Sequence, residues 1–225
     1  AYVNYYNNSG ATNFIIPHAS ISGGYNFAYN KTVLDRLFPD GYTLPRTTNE
    51  FIELGNQLKS KDSALLTCSF GDNSDYGALM FKAWFAQLIG FEAYEQFLDG
   101  KYYDETQGKY VFDENKPTTY SKYQESIMDY FNILKTLYSK ENAYIHENSG
   151  GLTAMKAEAV LADINEKSSP FMIQGGYVEQ EMNVLLEGQK SKGKPQEIRM
   201  MQMPVASEII KRTPSIKAKG DAGLR

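Results

Sequence analysis

Short apolar runs of strand length alternate along this chain with segments whose apolar residues recur every three or four positions. A residue set that repeats every 3.6 positions lines one face of a helix, whereas a brief continuous run suits a strand buried on both faces. Strands that alternate with helices cannot all be joined by tight hairpins. They predict an α/β fold, a mixed sheet whose faces are covered by helices.

The individual segments follow from local chemistry. Tyr25-Asn26-Phe27-Ala28-Tyr29 alternates large and small after Ser22-Gly23-Gly24, a strand leaving a glycine loop, and a short helix with Val33, Leu34, Leu37 and Phe38 ends at Pro39. Thr47 stands three residues before Glu50, the spacing of a capping box in which each side chain bonds the other's amide; Phe51, Leu54 and Leu58 then form one helical face. Ala64–Cys68 reads as a buried strand, with Ser69–Gly77 as the loop at its carboxyl end, and Phe81, Trp84, Phe85 and Leu88 as core positions of the next helix. Lys101–Lys116 reads as a hairpin around Thr106-Gln107-Gly108. Tyr123, Ile127, Phe131, Leu134 and Tyr138 predict the buried face of a long helix over Tyr120–Tyr138. After Gly150-Gly151 come an alanine-rich helix (Leu152–Ala162), a strand (Pro170–Gln174), a helix carrying Val178, Met182, Leu185 and Leu186, and a strand (Ile198–Met203) before Pro204.

Composition removes several functions. A net charge of −4 argues against nucleic acid, because neutralising phosphates requires a surplus of clustered Lys and Arg. Runs such as Phe14-Ile15-Ile16 and Val160-Leu161-Ala162 fall far short of the roughly 20 apolar residues of a membrane helix. The opening AYVNYYNNSG has neither the basic nor the apolar region of an export signal. The single cysteine, Cys68, lies in an apolar run and reads as a buried, inert thiol. The two histidines, His18 and His146, are far apart with no ligand at metal-site spacing, and Asp72-Asn73-Ser74-Asp75 lacks the glycine and the twelfth-position ligand of a calcium loop. No metal and no cofactor is expected. Nucleophile-elbow, phosphate-loop and dinucleotide motifs are absent from the sequence, and the nominal carboxylate pairs, Asp104 with Glu105 and Glu179 with Glu181, lack the context of a glycosidase, so no enzyme is expected.

The stretch SSPFMIQGGYVEQEM is the least ordinary. A strand runs into Gly175 and Gly176, which withhold side chains, and Tyr177 then places a ring at the start of a helix. Glycines at the end of a strand allow a ligand to approach the backbone. The 17 tyrosines of the chain suit recognition of amphipathic ligands, since each combines an apolar ring with a polar tip.

Taken together, GYNFAYNKTVL, LPRTTNEFIELGNQLKS, the Gly-Gly-Leu helix, SSPFMIQGGYVEQEM and IRMMQMPV, in this order over most of 14 to 204, resemble family 1 extracellular solute-binding proteins of ABC transporters. The chain departs from that pattern at Met203-Pro204-Val205, where many members have a second proline, and at Tyr177, where maltose binders have Trp. The resemblance implies two α/β lobes of periplasmic-binding-protein-like type II fold, with a carbohydrate ligand held between them and presented to permease subunits. It places 1–30 at the crossing from an incomplete first lobe, 31–204 in the second lobe, and 205–225 at the start of a truncated return segment.

The same resemblance implies that Tyr177 stacks on the sugar and that Tyr76 supplies a second aromatic. Asp72, Asn73 and Asp75 would accept from hydroxyls, while Gly23 and Tyr25 lie where hinge residues reach the ligand and Gly176 where a ligand can approach the backbone. It further implies a monomer outside the cytoplasm, at the cell surface or in the periplasm, joined to a membrane only through a lipid anchor that this chain does not contain. A carbohydrate-active enzyme and a stand-alone carbohydrate or protein interaction domain are the alternative readings.

Overall fold

In the computed structural model, which describes residues 25–71, 76–115, 117–163 and 168–212 (backbone only at 25, 76–82 and 210–212), strands and helices alternate as the sequence predicts. The first elements are β1 (Tyr25–Asn30), α1 (Lys31–Leu37), α2 (Thr48–Lys59), β2 (Leu66–Thr67), α3 (Tyr76–Ile89) and α4 (Phe91–Leu98). A hairpin of β3 (Lys101–Asp104) and β4 (Lys109–Phe112) precedes α5 (Pro117–Lys122), α6 (Gln124–Tyr138), a single tight turn at Ser149–Gly151 and α7 (Ala154–Leu161). Then follow β5 (Phe171–Gly175), α8 (Val178–Glu181), α9 (Asn183–Ser191), β6 (Ile198–Met201) and α10 (Ser207–Arg212).

The main sheet has the order β2-β5-β1-β6 and is mixed. β1 is antiparallel to both neighbours, with Tyr25 opposite Gly175 and Phe27 opposite both Ile173 and Met201, whereas β2 is parallel to β5, Thr67 facing Met172. Alternation along the strands divides the core into two layers. Phe27, Phe171 and Ile173 join Phe51, Leu58, Trp84 and Phe85 on one face; Ala28 and Met172 join Ala157, Leu161, Val178, Met182 and Ile198 on the other. Phe51 meets the edge of Phe171 with ring centroids 5.5 Å apart.

Asn30 anchors the strand-to-helix turn in YNK. It is fully buried, its Oδ1 accepts from the Val33 amide at 3.0 Å as the cap of α1, and its Nδ2 donates to the Leu161 carbonyl and to Gln196 Oε1, both at 2.8 Å. One side chain thus ties three segments together.

The capping box forms with a shift of one residue. Thr47 Oγ1 accepts from the Glu50 amide at 3.2 Å, but the Glu50 carboxylate returns to the amide of Arg46, at 2.7 Å, rather than to that of Thr47. Residues beyond Pro204 stay attached here: the Thr48 amide donates to the Val205 carbonyl at 2.8 Å, the Thr48 hydroxyl donates to Ser207 Oγ at 3.1 Å, and the Ser207 amide donates to Thr48 Oγ1 at 3.0 Å.

The long helix differs from expectation in two ways. It is interrupted at Tyr123, giving α5 and α6, and its buried face is Ser126, Tyr130, Ile133 and Leu137, while Phe131 is 53% exposed. One residue along a helix is a rotation of about 100°. Aromatics at both 130 and 131 fit the periodicity, and contact of Tyr130 with Phe85, centroids 6.1 Å apart, decides between them.

Candidate functional site at one edge of the sheet

Because β5 and β2 are parallel and β1 runs against β5, the carboxyl ends of β2 and β5 and the amino end of β1 lie at the same edge of the sheet. Two stretches singled out in the sequence therefore reach that edge, the residues that follow Thr67 and the Gly175-Gly176-Tyr177 turn, and β1 begins there at Tyr25. Ends of parallel strands are where open α/β sheets place ligands, since the connecting loops diverge there and leave a crevice.

The turn after β5 is built around Tyr177. Its carbonyl accepts from the amides of Gln180 and Glu181 at 3.0 and 3.1 Å, which starts α8, and its side chain is half-buried. A Cβ on Gly175 would lie 2.8 Å from Cδ1 of that ring and closer still to Cε1 and Cζ. The space beside Gly175 is thus filled by the Tyr177 ring, and the expectation that this glycine clears space for a ligand is corrected. Gly176 fits that expectation better: it is exposed, and a Cβ there meets no described atom within 4 Å.

The loop after β2 is held by the glycine break near 150. The Cys68 amide donates to Ser149 Oγ at 3.1 Å, the Phe70 amide to the Ser149 carbonyl at 3.2 Å, and the Gly71 amide to the Leu152 carbonyl at 2.8 Å. A side chain on Gly71 would meet the Gly151 carbonyl oxygen at 2.5 Å, so the two segments pack backbone to backbone. Tyr76 is the first residue of α3 rather than lying inside the preceding loop, the helix beginning one residue before Gly77, the expected loop end. Asp72, Asn73, Asp75 and Gly23 lie outside the described residues, and at Tyr25 and Tyr76 only the backbone is described.

Beneath the turn is a polar group that periodicity missed. Gln174, fully buried, accepts from the Gly175 amide through Oε1 at 2.9 Å and donates through Nε2 to Glu158 Oε1 at 2.7 Å. Glu158, on α7 and only 8% exposed, also hydrogen-bonds the Glu181 side chain of α8. Burial, reinforced by the neighbouring Glu181 charge, pushes the Glu158 carboxyl up to about 7. The available signal was a glutamine ending the apolar run Phe171-Met172-Ile173.

The remaining candidates have structural employment. Asp104 accepts from the amides of Thr106 and Gln107 at 2.8 and 3.1 Å, closing the hairpin, and Glu105 pairs with Lys122. Trp84 is buried, its Nε1 donating to the Pro204 carbonyl at 2.8 Å. Cys68 is buried too, and desolvation pushes its thiol up to about 12 despite a hydrogen bond with Tyr138. Among the described residues no cluster of His, Cys, Asp or Glu could hold a metal ion, and no helix is long and apolar enough to cross a membrane.

Solved structures that match this arrangement include solute-binding proteins. The apo form of RafE from Streptococcus pneumoniae matches with a TM-score of 0.55 at 16% identity, over 80% of this chain and 39% of that one. The fold is that of a solute-binding protein lobe. A chitin oligosaccharide binding protein matches the lobe with a TM-score of 0.52 at 21% identity, over 80% of this chain and 38% of its own. A family 1 extracellular solute-binding protein from Bifidobacterium longum subsp. infantis matches it with a TM-score of 0.50 at 17% identity, over 90% of this chain and 50% of its own. The lobe therefore spans half or less of the length of these structures. No protein-family model matches the sequence, and no curated protein sequence is significantly similar to it.

Proposed function

We infer that this chain is the second lobe of a sugar receptor of an ABC importer, and that its ligand rests on the sheet edge where β2 and β5 end. The observation that carries this reading is that β2 and β5 end, and β1 begins, at one edge of the sheet, with the half-buried Tyr177 in the turn that follows β5. A pyranose exposes C–H groups on its faces and hydroxyls at its rim. The π-face of Tyr177 complements the first, with stacking of about 1 kcal/mol beyond burial. The hydroxyls require partners, since one left buried and unpaired costs about 1–3 kcal/mol; Asp72, Asn73 and Asp75 are proposed as acceptors, Tyr76 as a second aromatic wall, and Gly23, Tyr25 and Gly176 as backbone approaches. A complex of RafE with raffinose among the structural neighbours supports a carbohydrate as the ligand.

In this reading 1–30 forms the crossing, 31–204 the lobe and the segment from 205 the return. The complete receptor is monomeric, works outside the cytoplasm and is held at a membrane only by a lipid anchor. Ligand contacts from two lobes favour a closed state, which permease subunits recognise. Calorimetry on the complete receptor provides the test: Tyr177→Ala is expected to weaken sugar binding roughly tenfold or more, because stacking and ring burial are lost together. Unchanged affinity would overturn the assignment. The 225-residue chain alone should bind weakly, and tight binding by it would contradict a two-lobe site.

A further inference from the structure

We propose that Glu158, Gln174 and Glu181 form a proton-controlled latch that sets the Gly175–Tyr177 turn, closed when a proton is shared between the two carboxyl groups and loosened when it leaves. The connectivity is continuous. Gln174 has no freedom to turn, because its amide oxygen is taken by the Gly175 amide and its amide nitrogen by Glu158. Glu158 in turn reaches Glu181, whose own backbone amide is bonded to the Tyr177 carbonyl. The two carboxyl groups thus bridge α7 to the first turn of α8, and Tyr177 lies at the junction.

Two carboxylates in hydrogen-bond contact repel unless one holds a proton. With the proton present, one carboxyl donates to the other and α8 is drawn onto α7. Once the proton passes to solvent, the charges face each other and no described basic group intervenes. β5 contributes the neutral Gln174, α8 contributes Glu181, and β2, by its register with Met172, places the uncharged Thr67 on the same face of the sheet. Lys156, nearest in sequence on α7, is exposed. Burial and the Glu181 charge both raise Glu158 into the neutral range, so the change would occur near physiological pH.

If Tyr177 is a sugar platform, the latch makes the platform pH-dependent; that consequence rests on the proposed function, whereas the latch does not. Hydrogen exchange of the Gly175, Gln180 and Glu181 amides in the full chain, corrected for intrinsic rates, therefore tests it without a ligand. Protection is expected to fall several-fold between pH 5.5 and pH 8 in the native sequence, and to lose this pH dependence in both Glu158→Gln and Glu181→Gln. Glu181 is exposed, so Glu181→Gln remains informative if the buried variant folds poorly. Protection that is constant with pH in the native chain, or that keeps its pH dependence in Glu181→Gln, overturns the latch. A carbon-13 titration of the Glu158 carboxyl with a midpoint near the ordinary 4.5 would do the same.

Discussion

The ring of Tyr177 lies against the Cα of Gly175, in the space that any side chain at 175 would occupy. Gly175→Ala must displace that ring or the strand end, and overpacking of this kind costs about 1–3 kcal/mol. Gly176→Ala places its methyl in open space with no left-handed backbone to strain. Chemical denaturation should show a clear loss of stability for the first and almost none for the second. In the complete receptor, Gly176→Ala is still expected to weaken sugar binding.

Asn30 gives a second, unequal pair. Asn30→Ala removes the cap of α1, worth about 1 kcal/mol, and strands the buried Leu161 carbonyl, which adds about 1–3 kcal/mol. Asn30→Asp retains the cap acceptor but cannot donate to Leu161 and carries a charge into a fully buried position. Thermal melts should rank the aspartate variant no higher than the alanine variant. An aspartate variant as stable as the native chain would show that capping alone matters there.

Cys68 should resist alkylation in the folded state. With its thiol pushed up to about 12 from the ordinary 9.0, the thiolate at pH 8 is scarcer by a factor on the order of a thousand, and the sulfur is also buried. Mass spectrometry after iodoacetamide treatment should find the thiol unmodified until denaturant is added. Rapid labelling of the native chain would contradict its burial.

Stability should depend on pH through Glu158. Its carboxyl binds a proton more tightly when folded, at about 7 against the ordinary 4.5, so its contribution is complete below 4.5 and is lost as pH rises through about 7. Comparing melting temperatures of the native chain and Glu158→Gln between pH 4.5 and pH 8 isolates this group. The native chain should decline relative to the variant across that interval, and parallel curves would remove the effect.

Trp84→Phe leaves the Pro204 carbonyl without its indole donor and creates a small void in the core cluster that holds Trp84. Loss of the hydrogen bond alone costs about 1–3 kcal/mol. Circular dichroism during urea denaturation should show a lower midpoint.

Much of this protein was legible from local chemistry. Alternation of large and small residues announced β1, a continuous apolar run announced β5, the Thr47–Glu50 spacing announced the start of α2, and the hairpin followed from turn residues near Gly108. These depend on interactions within a few residues, which the sequence displays directly. The choice of Tyr130 over Phe131 as a core residue was not legible, because both satisfy the helical period and only Phe85, 6.1 Å from Tyr130, separates them.

The Gly175-Gly176-Tyr177 turn marks the division. The sequence by itself determined that a strand ends there, that a helix follows and that an aromatic stands between them, since each property is written in neighbouring residues. Only the tertiary structure decided why the glycines are there. The ring folds back over Gly175, while Gln174 reaches across to Glu158 on α7, 16 residues away in the chain. Sheet order also set which segments share that edge, because strands far apart in sequence end together only when parallel and antiparallel pairing brings them to one edge.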